Sequence, residues 1–217
     1  MAKREQMRAH LGRVADSEGR VPGSGGQGAE GERRLRAAVF LDRDGVINEN
    51  LDGTYVQSWE TFRFLPRSVE AIAHLHRAGW PVVVVTNQAG VGKGVMTESA
   101  LGEIHRRMLG EVEEAGGKIE AVMYCPHRSE EGCACRKPQP GLLRQAAAEL
   151  GLDLDRSVFV GDNITDVEAA RAAGCRAILV LTGRGAGSRA AVASLEGVEV
   201  VQDVAEAVER ILGGRRS

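Results

Sequence analysis

The sequence predicts an α/β fold in which one parallel sheet carries helices on both faces. Two observations predict it. Five short apolar runs rich in β-branched residues recur from residue 37 onward, and they are continuous rather than alternating, as strands covered on both sides require. Helical stretches separate them, several closed by a glycine, so strand and helix alternate with short joins.

The elements follow in order. Residues 1–36 are rich in charge, Gly and Ser and read as a disordered extension, with one short helix around Glu5–Val14. The first strand is AAVFL (37–41), followed by a helix over Arg67–Ala78 and the strand PVVVV (81–85). Thr97 is placed to cap a helix running to Ala115, ahead of the strand IEAVMY (119–124). A helix over Gly141–Leu150, the strand SVFV (157–160), a helix over Thr165–Ala173 and the strand CRAILVL (175–181) complete the repeat. VEVV (198–201) adds a sixth strand and Asp203–Leu212 a closing helix. Gly79, Gly116, Gly151 and Gly174 stand where helices commonly stop. The whole is a Rossmann-like, doubly wound sheet spanning residues 37–217.

Composition narrows the function classes. At 217 residues, 43% hydrophobic and 27% charged, the chain suits one soluble domain plus an appendage. A formal net charge of -2 and 4% aromatic residues, with no basic stripe, argue against a nucleic-acid-binding module. No run reaches the eighteen or so apolar residues of a membrane span, and no apolar segment of a secretory signal follows the basic start, so the cytoplasm is the expected compartment. A monomer is the default expectation.

In such a sheet, ligands bind beyond the carboxyl ends of the strands. Polar residues gather there: Asp42 and Asp44 after the first run, Thr86 and Asn87 after the second, Gly161 and Asp162 after the fourth. Side chains two apart on an extended segment face the same way, so Asp42 and Asp44 can share a site, and Gly45 lets the chain turn after them. Close carboxylates repel unless a cation lies between them. Asp42, Asp44 and Asp162 therefore read as a Mg²⁺ site. A carboxylate can attack phosphorus to give an acyl phosphate, while a second carboxylate protonates the leaving alkoxide and then activates water. Asp42 suits the first role and Asp44 the second.

A second cluster follows the third strand. Cys125, His127, Cys133 and Cys135 offer three thiolates and an imidazole within eleven residues, which suits tetrahedral Zn²⁺ with no position open for water, hence a structural ion. Cys175 opens an apolar run and reads as an inert buried thiol. The run Gln88–Gly94 is glycine-rich but lacks the spacing of a dinucleotide fingerprint.

Asp42-Arg43-Asp44-Gly45, Thr86-Asn87-Gln88, Arg136-Lys137-Pro138 and Gly161-Asp162 followed by Asp166 occur in the order found in haloacid dehalogenase-like phosphatases, and the chain resembles that superfamily from Ala37 to about Gly185. Within it, the chain is most similar to the D-glycero-D-manno-heptose 1,7-bisphosphate 7-phosphatases and their relatives, the histidinol-phosphate phosphatases. The resemblance implies a phosphate grip by Thr86 and Lys137. It also implies substrate contacts from Arg43, Asn87, Gln88, Arg136 and Asn163, the last standing where many relatives have lysine. Lys137 offers a compact charge to the transferring group and Arg136 a planar fork for substrate oxygens. The resemblance favours a phosphorylated sugar, a heptose bisphosphate before histidinol phosphate. Superfamily members often carry an inserted cap domain, but the spacings from Asp44 to Thr86 and from Thr86 to Lys137 leave room for none. Selectivity is then expected from loops, above all Asn50–Phe64, with Tyr55 and Trp59 as anchors over the site.

Overall fold

The computed structural model describes residues 35–51 and 53–214, so all but the last two residues of the expected extension lie outside the described residues. Arg36 is already tied to the domain: its N–H donates to the carbonyl of Gly151 at 3.1 Å and its own carbonyl accepts from Asp153 at 2.9 Å.

Six strands, β1 (Val39–Leu41), β2 (Val82–Asn87), β3 (Ala121–Cys125), β4 (Val158–Gly161), β5 (Arg176–Val180) and β6 (Val198–Val201), form one sheet in the order β3-β2-β1-β4-β5-β6. Every pairing is parallel. The helices are α1 (Ser68–Arg77), α2 (Ala89–Gly92), α3 (Glu98–Glu114), α4 (Gly141–Leu150), α5 (Ile164–Ala173), α6 (Gly185–Val192) and α7 (Val204–Gly213). All six expected strands and the five helices expected after residue 37 are present, while the short helix expected around Glu5–Val14 lies outside the described residues. Helices α2 and α6 were not expected, because AGVG and GAGSRAAV are glycine-rich and show no clear apolar stripe. Thr97 caps α3 by accepting from the Ala100 N–H at 3.1 Å. Gly79, Gly116, Gly151 and Gly174 all have positive φ.

The strand pleat sorts the core into two layers. Val39, Leu41, Val82, Val84, Val158 and Val160 face one side, where α1, α3 and α7 pack through Ile72, Leu75, Ile104, Met108, Val208 and Ile211. Phe40, Val83, Val85 and Phe159 face the other, against Leu142, Leu143 and Ala146 of α4 and Val167 and Ala170 of α5. That two-sided burial is why the runs read as continuously apolar. Among the described residues no helix is long and apolar enough to cross a membrane.

Strand order reverses beside β1: the chain moves to β2 on one side and later returns to β4 on the other. The crevice outside the carboxyl ends of β1 and β4 is the natural ligand site. Between β1 and α1 the described residues form only loop and a 3-10 turn (Trp59–Thr61), and only α2 and α3 separate β2 from β3. No cap covers the crevice among the described residues.

The layered core predicts a contrast in stability. Ile104→Ala, at a fully buried position, should cost about 2–5 kcal/mol in urea unfolding. Leu35→Ala, at a position 52% exposed, should stay within about 0.5 kcal/mol of the parent.

Candidate active site

Asp42 is the first residue beyond β1, held by its N–H donating to the Val160 carbonyl at 3.0 Å. Its Oδ1 accepts from the Arg43 N–H at 2.7 Å and lies 2.9 Å from Lys137 Nζ. Asp162 is the first residue beyond β4, and Asp166 follows in the first turn of α5. Asp166 Oδ2 accepts the N–H groups of Asp162 and Asn163 at 3.1 and 3.0 Å, while Oδ1 lies 2.8 Å from Lys137 Nζ. Lys137 Nζ completes its set by donating to the Val85 carbonyl at 2.9 Å. Two glycines make room for this packing. A side chain on Gly45, which has φ +89°, would overlap the Asp162 carboxylate, and one on Gly161 would overlap Asp166.

The carboxylates of Asp42, Asp162 and Asp166 thus converge in the interior with one ammonium among them. Burial, with Asp166 and Asp162 adding to it against the pull of Lys137, pushes the Asp42 carboxyl up to about 8. Burial and Asp166 push Asp162 up to about 6. For Lys137 burial works the other way, but the Asp166 and Asp42 carboxylates outweigh it and raise its pKa. Three acids against one base leave an excess of negative charge that a divalent cation would neutralise. Asp42 Oδ2 and Asp162 Oδ1 make no hydrogen bond among the described residues and are the free oxygens for such an ion. The residues fit magnesium.

Asp44 borders the same cleft as Asp42 and Asp162. Its carboxylate is not in that cluster but is taken by Arg43 (2.8 and 2.9 Å from Nη2, 3.3 Å from Nε), Asn48 Nδ2 (2.9 Å) and Gln88 Nε2 (2.7 Å). β1 has ended and the chain is turning through Arg43–Gly45, so the same-face argument for positions two apart does not hold. Burial works to raise the Asp44 pKa, but the Arg43 guanidinium and the three sets of hydrogen bonds hold it below the ordinary carboxylate range. Arg43 is fully buried behind Asp44, and Gln88 bridges Asp44 and the Thr86 hydroxyl (3.0 Å), so both support the site from within instead of facing substrate.

The acids open into a cleft of about 750 Å³ whose lining includes Asp42, Asp44, Thr86, Asn87, Arg136, Lys137 and Asn163. Asn87 clamps the main chain of Lys137, accepting its N–H at 3.1 Å and donating to its carbonyl at 3.2 Å. Asn163 caps α5 by accepting from the Thr165 N–H at 3.1 Å. One wall is formed by residues 50–51 and 53–56, including Tyr55. Trp59 is not over the site as expected: it stacks on Phe62 (centroids 4.9 Å apart) and meets Phe64 edge-on, because three aromatic rings gain more by packing together against the core than by facing water.

Another wall is the cysteine loop, through Ser129, Gly132 and Cys133. Cys125, His127, Cys133 and Cys135 come together, with Cys125 Sγ 3.3 Å from Cys135 Sγ and 3.6 Å from Cys133 Sγ, and His127 Nδ1 3.2 Å from Cys135 Sγ. A tetrahedron with arms of about 2.3 Å has edges near 3.8 Å, so this cage is close to zinc dimensions. The cysteines are free thiols and cannot be paired disulfides at such separations. Cys175 stands apart, buried, its thiol pushed up to about 12 by burial and by Asp155.

With this geometry in hand, comparison with known proteins is decisive. The family model described as HAD-hydrolase-like matches residues 134–207. A Pseudomonas aeruginosa protein named D-glycero-beta-D-manno-heptose-1,7-bisphosphate 7-phosphatase is 47% identical over 150 residues, covering 69% of this chain and 84% of that protein. This chain belongs to the heptose-1,7-bisphosphate 7-phosphatase family. Another member, from Bordetella bronchiseptica, is 41% identical over 174 residues, 80% of this chain and 97% of that one. The crystal structure of the D,D-heptose 1,7-bisphosphate phosphatase from B. bronchiseptica, complexed with magnesium and phosphate, superposes with a TM-score of 0.79 at 40% identity, over 82% of this chain and 99% of that chain.

Two residues of this heptose-bisphosphate phosphatase family member carry weight that the sequence did not reveal. Asp166 was visible as part of the fourth motif, four residues after Asp162, but it looks like an ordinary first-turn acid of a capped helix. His105 sits on the inner face of α3 and gave no signal beyond its apolar neighbours.

Lys137→Met should show how much the site depends on one charge. It leaves Asp42 and Asp166 facing each other in the interior, so unfolding in chelator should register a loss of about 3–5 kcal/mol. Turnover should fall at least about 10²-fold.

Proposed function

We propose that this chain removes the 7-phosphate of D-glycero-β-D-manno-heptose 1,7-bisphosphate through a phosphorylated Asp42. The observation that carries the proposal is the buried Asp42–Lys137–Asp166 ion cluster at the floor of an uncapped cleft, with Asp162 beside it and Asp44 at its edge. Relatives 47% and 41% identical to this chain are named for that reaction, and the chain covers 84% and 97% of them.

The Asp42 carboxylate attacks phosphorus in line with the leaving group. The bond from phosphorus to the sugar oxygen breaks, and Asp44 gives its proton to the departing alkoxide. Arg43 keeps Asp44 ionised in the resting site, but a dianionic phosphate seated beside it raises its proton affinity and readies it as the acid. In the second step Asp44 takes a proton from water, which attacks phosphorus, releases inorganic phosphate and restores Asp42. Lys137 and the Thr86 hydroxyl face the transferring group, and Arg136 at the cleft wall supplies a fork for sugar or distal phosphate oxygens. Asn87 holds Lys137 in place, and Asn163 offers a side-chain hydrogen bond without charge. Asp42 and Asp162 would hold magnesium, which when bound would supply further positive charge to the phosphoryl oxygens. Zinc held by Cys125, His127, Cys133 and Cys135 is structural: Arg136 and Lys137 follow the last ligand directly, and Arg136 donates to the His127 carbonyl at 3.3 Å. The proposal extends to a monomeric, cytoplasmic enzyme with its phosphatase domain over residues 37–217 and an extension before it.

Asp42→Asn should lower kcat at least about 10³-fold, roughly 4 kcal/mol of barrier, with the fold retained by circular dichroism. A folded variant keeping a tenth of parental turnover would exclude Asp42 as nucleophile. A substrate panel tests the sugar: kcat/KM for the heptose bisphosphate should exceed that for histidinol phosphate, and a tenfold preference the other way would transfer the assignment to histidinol phosphate. Cys133→Ser should lower both melting temperature and turnover, with neither restored by added Mg²⁺. A variant matching the parent in both would end the structural-zinc assignment.

A further inference from the structure

Behind Asp44 a buried polar chain runs into the helical layer. The Arg43 guanidinium spends Nε and Nη2 on the Asp44 carboxylate, and its Nη1 lies 3.2 Å from His105 Nε2. Arg43 is fully buried, and His105 is only 8% exposed. We infer that His105 is a positioning residue for the acid/base carboxylate: it fixes the Arg43 guanidinium, and through it the orientation in which Asp44 meets the leaving group. The inference rests on the acid/base role proposed for Asp44.

A guanidinium has donors only, so His105 Nε2 must accept, and the ring proton lies on Nδ1. Burial and the neighbouring Arg43 pull the His105 pKa down to about 3, which keeps Nε2 an acceptor throughout the neutral range. The position itself points the same way. Leu101, Ile104, Met108 and Val112 form the buried stripe of α3, and His105 lies within that stripe. An imidazole there is costly unless its polar atoms are satisfied, whereas an apolar residue would leave Nη1 of a buried cation without its acceptor. The ring also packs against Tyr124, centroids 5.8 Å apart, so its orientation is held from the far side. Asn48 and Gln88 fix the Asp44 oxygens directly, leaving rotation of the Arg43 fork as the freedom that His105 removes.

A leaving-group comparison tests this independently of how much protein folds, because the ratio of two kcat/KM values on one preparation cancels the active fraction. Heptose 1,7-bisphosphate departs as an alkoxide and needs a correctly aimed acid, whereas p-nitrophenyl phosphate departs as a stable phenolate and hardly does. In His105→Phe, kcat/KM for the heptose bisphosphate should fall about tenfold more than that for p-nitrophenyl phosphate, a fraction of the loss a 1 Å misplacement can bring. His105→Gln, whose side-chain oxygen can accept near the Nε2 position, should recover most of that selective loss. Asp44→Asn serves as the reference and should shift the ratio in the same direction by more. An unchanged ratio in His105→Phe, or a Gln variant as selective in its loss as the Phe variant, overturns the inference while a shifted Asp44→Asn ratio leaves the acid/base assignment standing. An unchanged ratio in Asp44→Asn overturns that assignment itself.

Discussion

The ammonium of Lys137 is almost fully buried, and its burial dictates what must surround it. Taking such a charge out of water costs several kcal/mol unless partners recover it. Here the partners come from three segments: Asp42 beyond β1, Asp166 in α5 and the Val85 carbonyl in β2. The lysine therefore fixes the distance between strand ends that are far apart in sequence. Asn87 holds its main chain from the end of β2, so backbone and side chain of Lys137 are gripped from the same strand. The same cation leaves the acids unbalanced, three against one, which is the electrostatic condition for admitting a divalent ion.

Two aspartates only two residues apart are driven in opposite directions by this arrangement. Burial among other acids raises Asp42, whereas for Asp44 the Arg43 guanidinium and hydrogen bonds outweigh burial and lower it. Neighbouring carboxyls with divergent proton affinities are how one site separates a nucleophile from an acid/base. Asp42 needs the cation and the lysine to stay ionised. Asp44 is held low without them, through its contacts with Arg43, Asn48 and Gln88.

What could be read from the sequence was what is local or strongly patterned. Strands buried on both faces announce themselves as runs such as PVVVV, and a metal cage closed within eleven residues is visible as spacing. What could not be read was direction after a strand ends. Arg43 and Asp44 lie past Leu41 in a turning backbone, so alternation no longer says which way a side chain points. Gln88 turns inward for the same reason beyond β2. Asp166 was hidden by an innocent alternative, since an acid at that helical position is ordinary capping chemistry that here also holds a lysine. Trp59 was misplaced because aromatic side chains suit a binding wall as well as a packed cluster, and only the tertiary contacts with Phe62 and Phe64 decide.

The cysteine loop explains how such a site can vary its recognition without losing its chemistry. Ser129, Gly132 and Cys133 form part of the cleft wall, yet within a few residues the same segment supplies Arg136 and Lys137. A wall that changes shape would ordinarily drag the lysine with it, and an ångström is costly at a phosphoryl-transfer centre. The cluster of Cys125, His127, Cys133 and Cys135 stands between the two. Cys125 anchors the loop at the end of β3, where its carbonyl accepts the Gln88 N–H at 2.7 Å, and Cys135 returns the chain to the same point. A loop closed on itself at its base can alter residues 128–132 while its exit direction stays fixed. The other wall, residues 50–51 and 53–56, is separated from Asp44 by Asn48, which donates both to the Asp44 carboxylate at 2.9 Å and to the Glu49 carbonyl at 2.8 Å. Each wall is thus anchored at its root to a residue at the floor of the cleft, which leaves the tips free to differ in sequence.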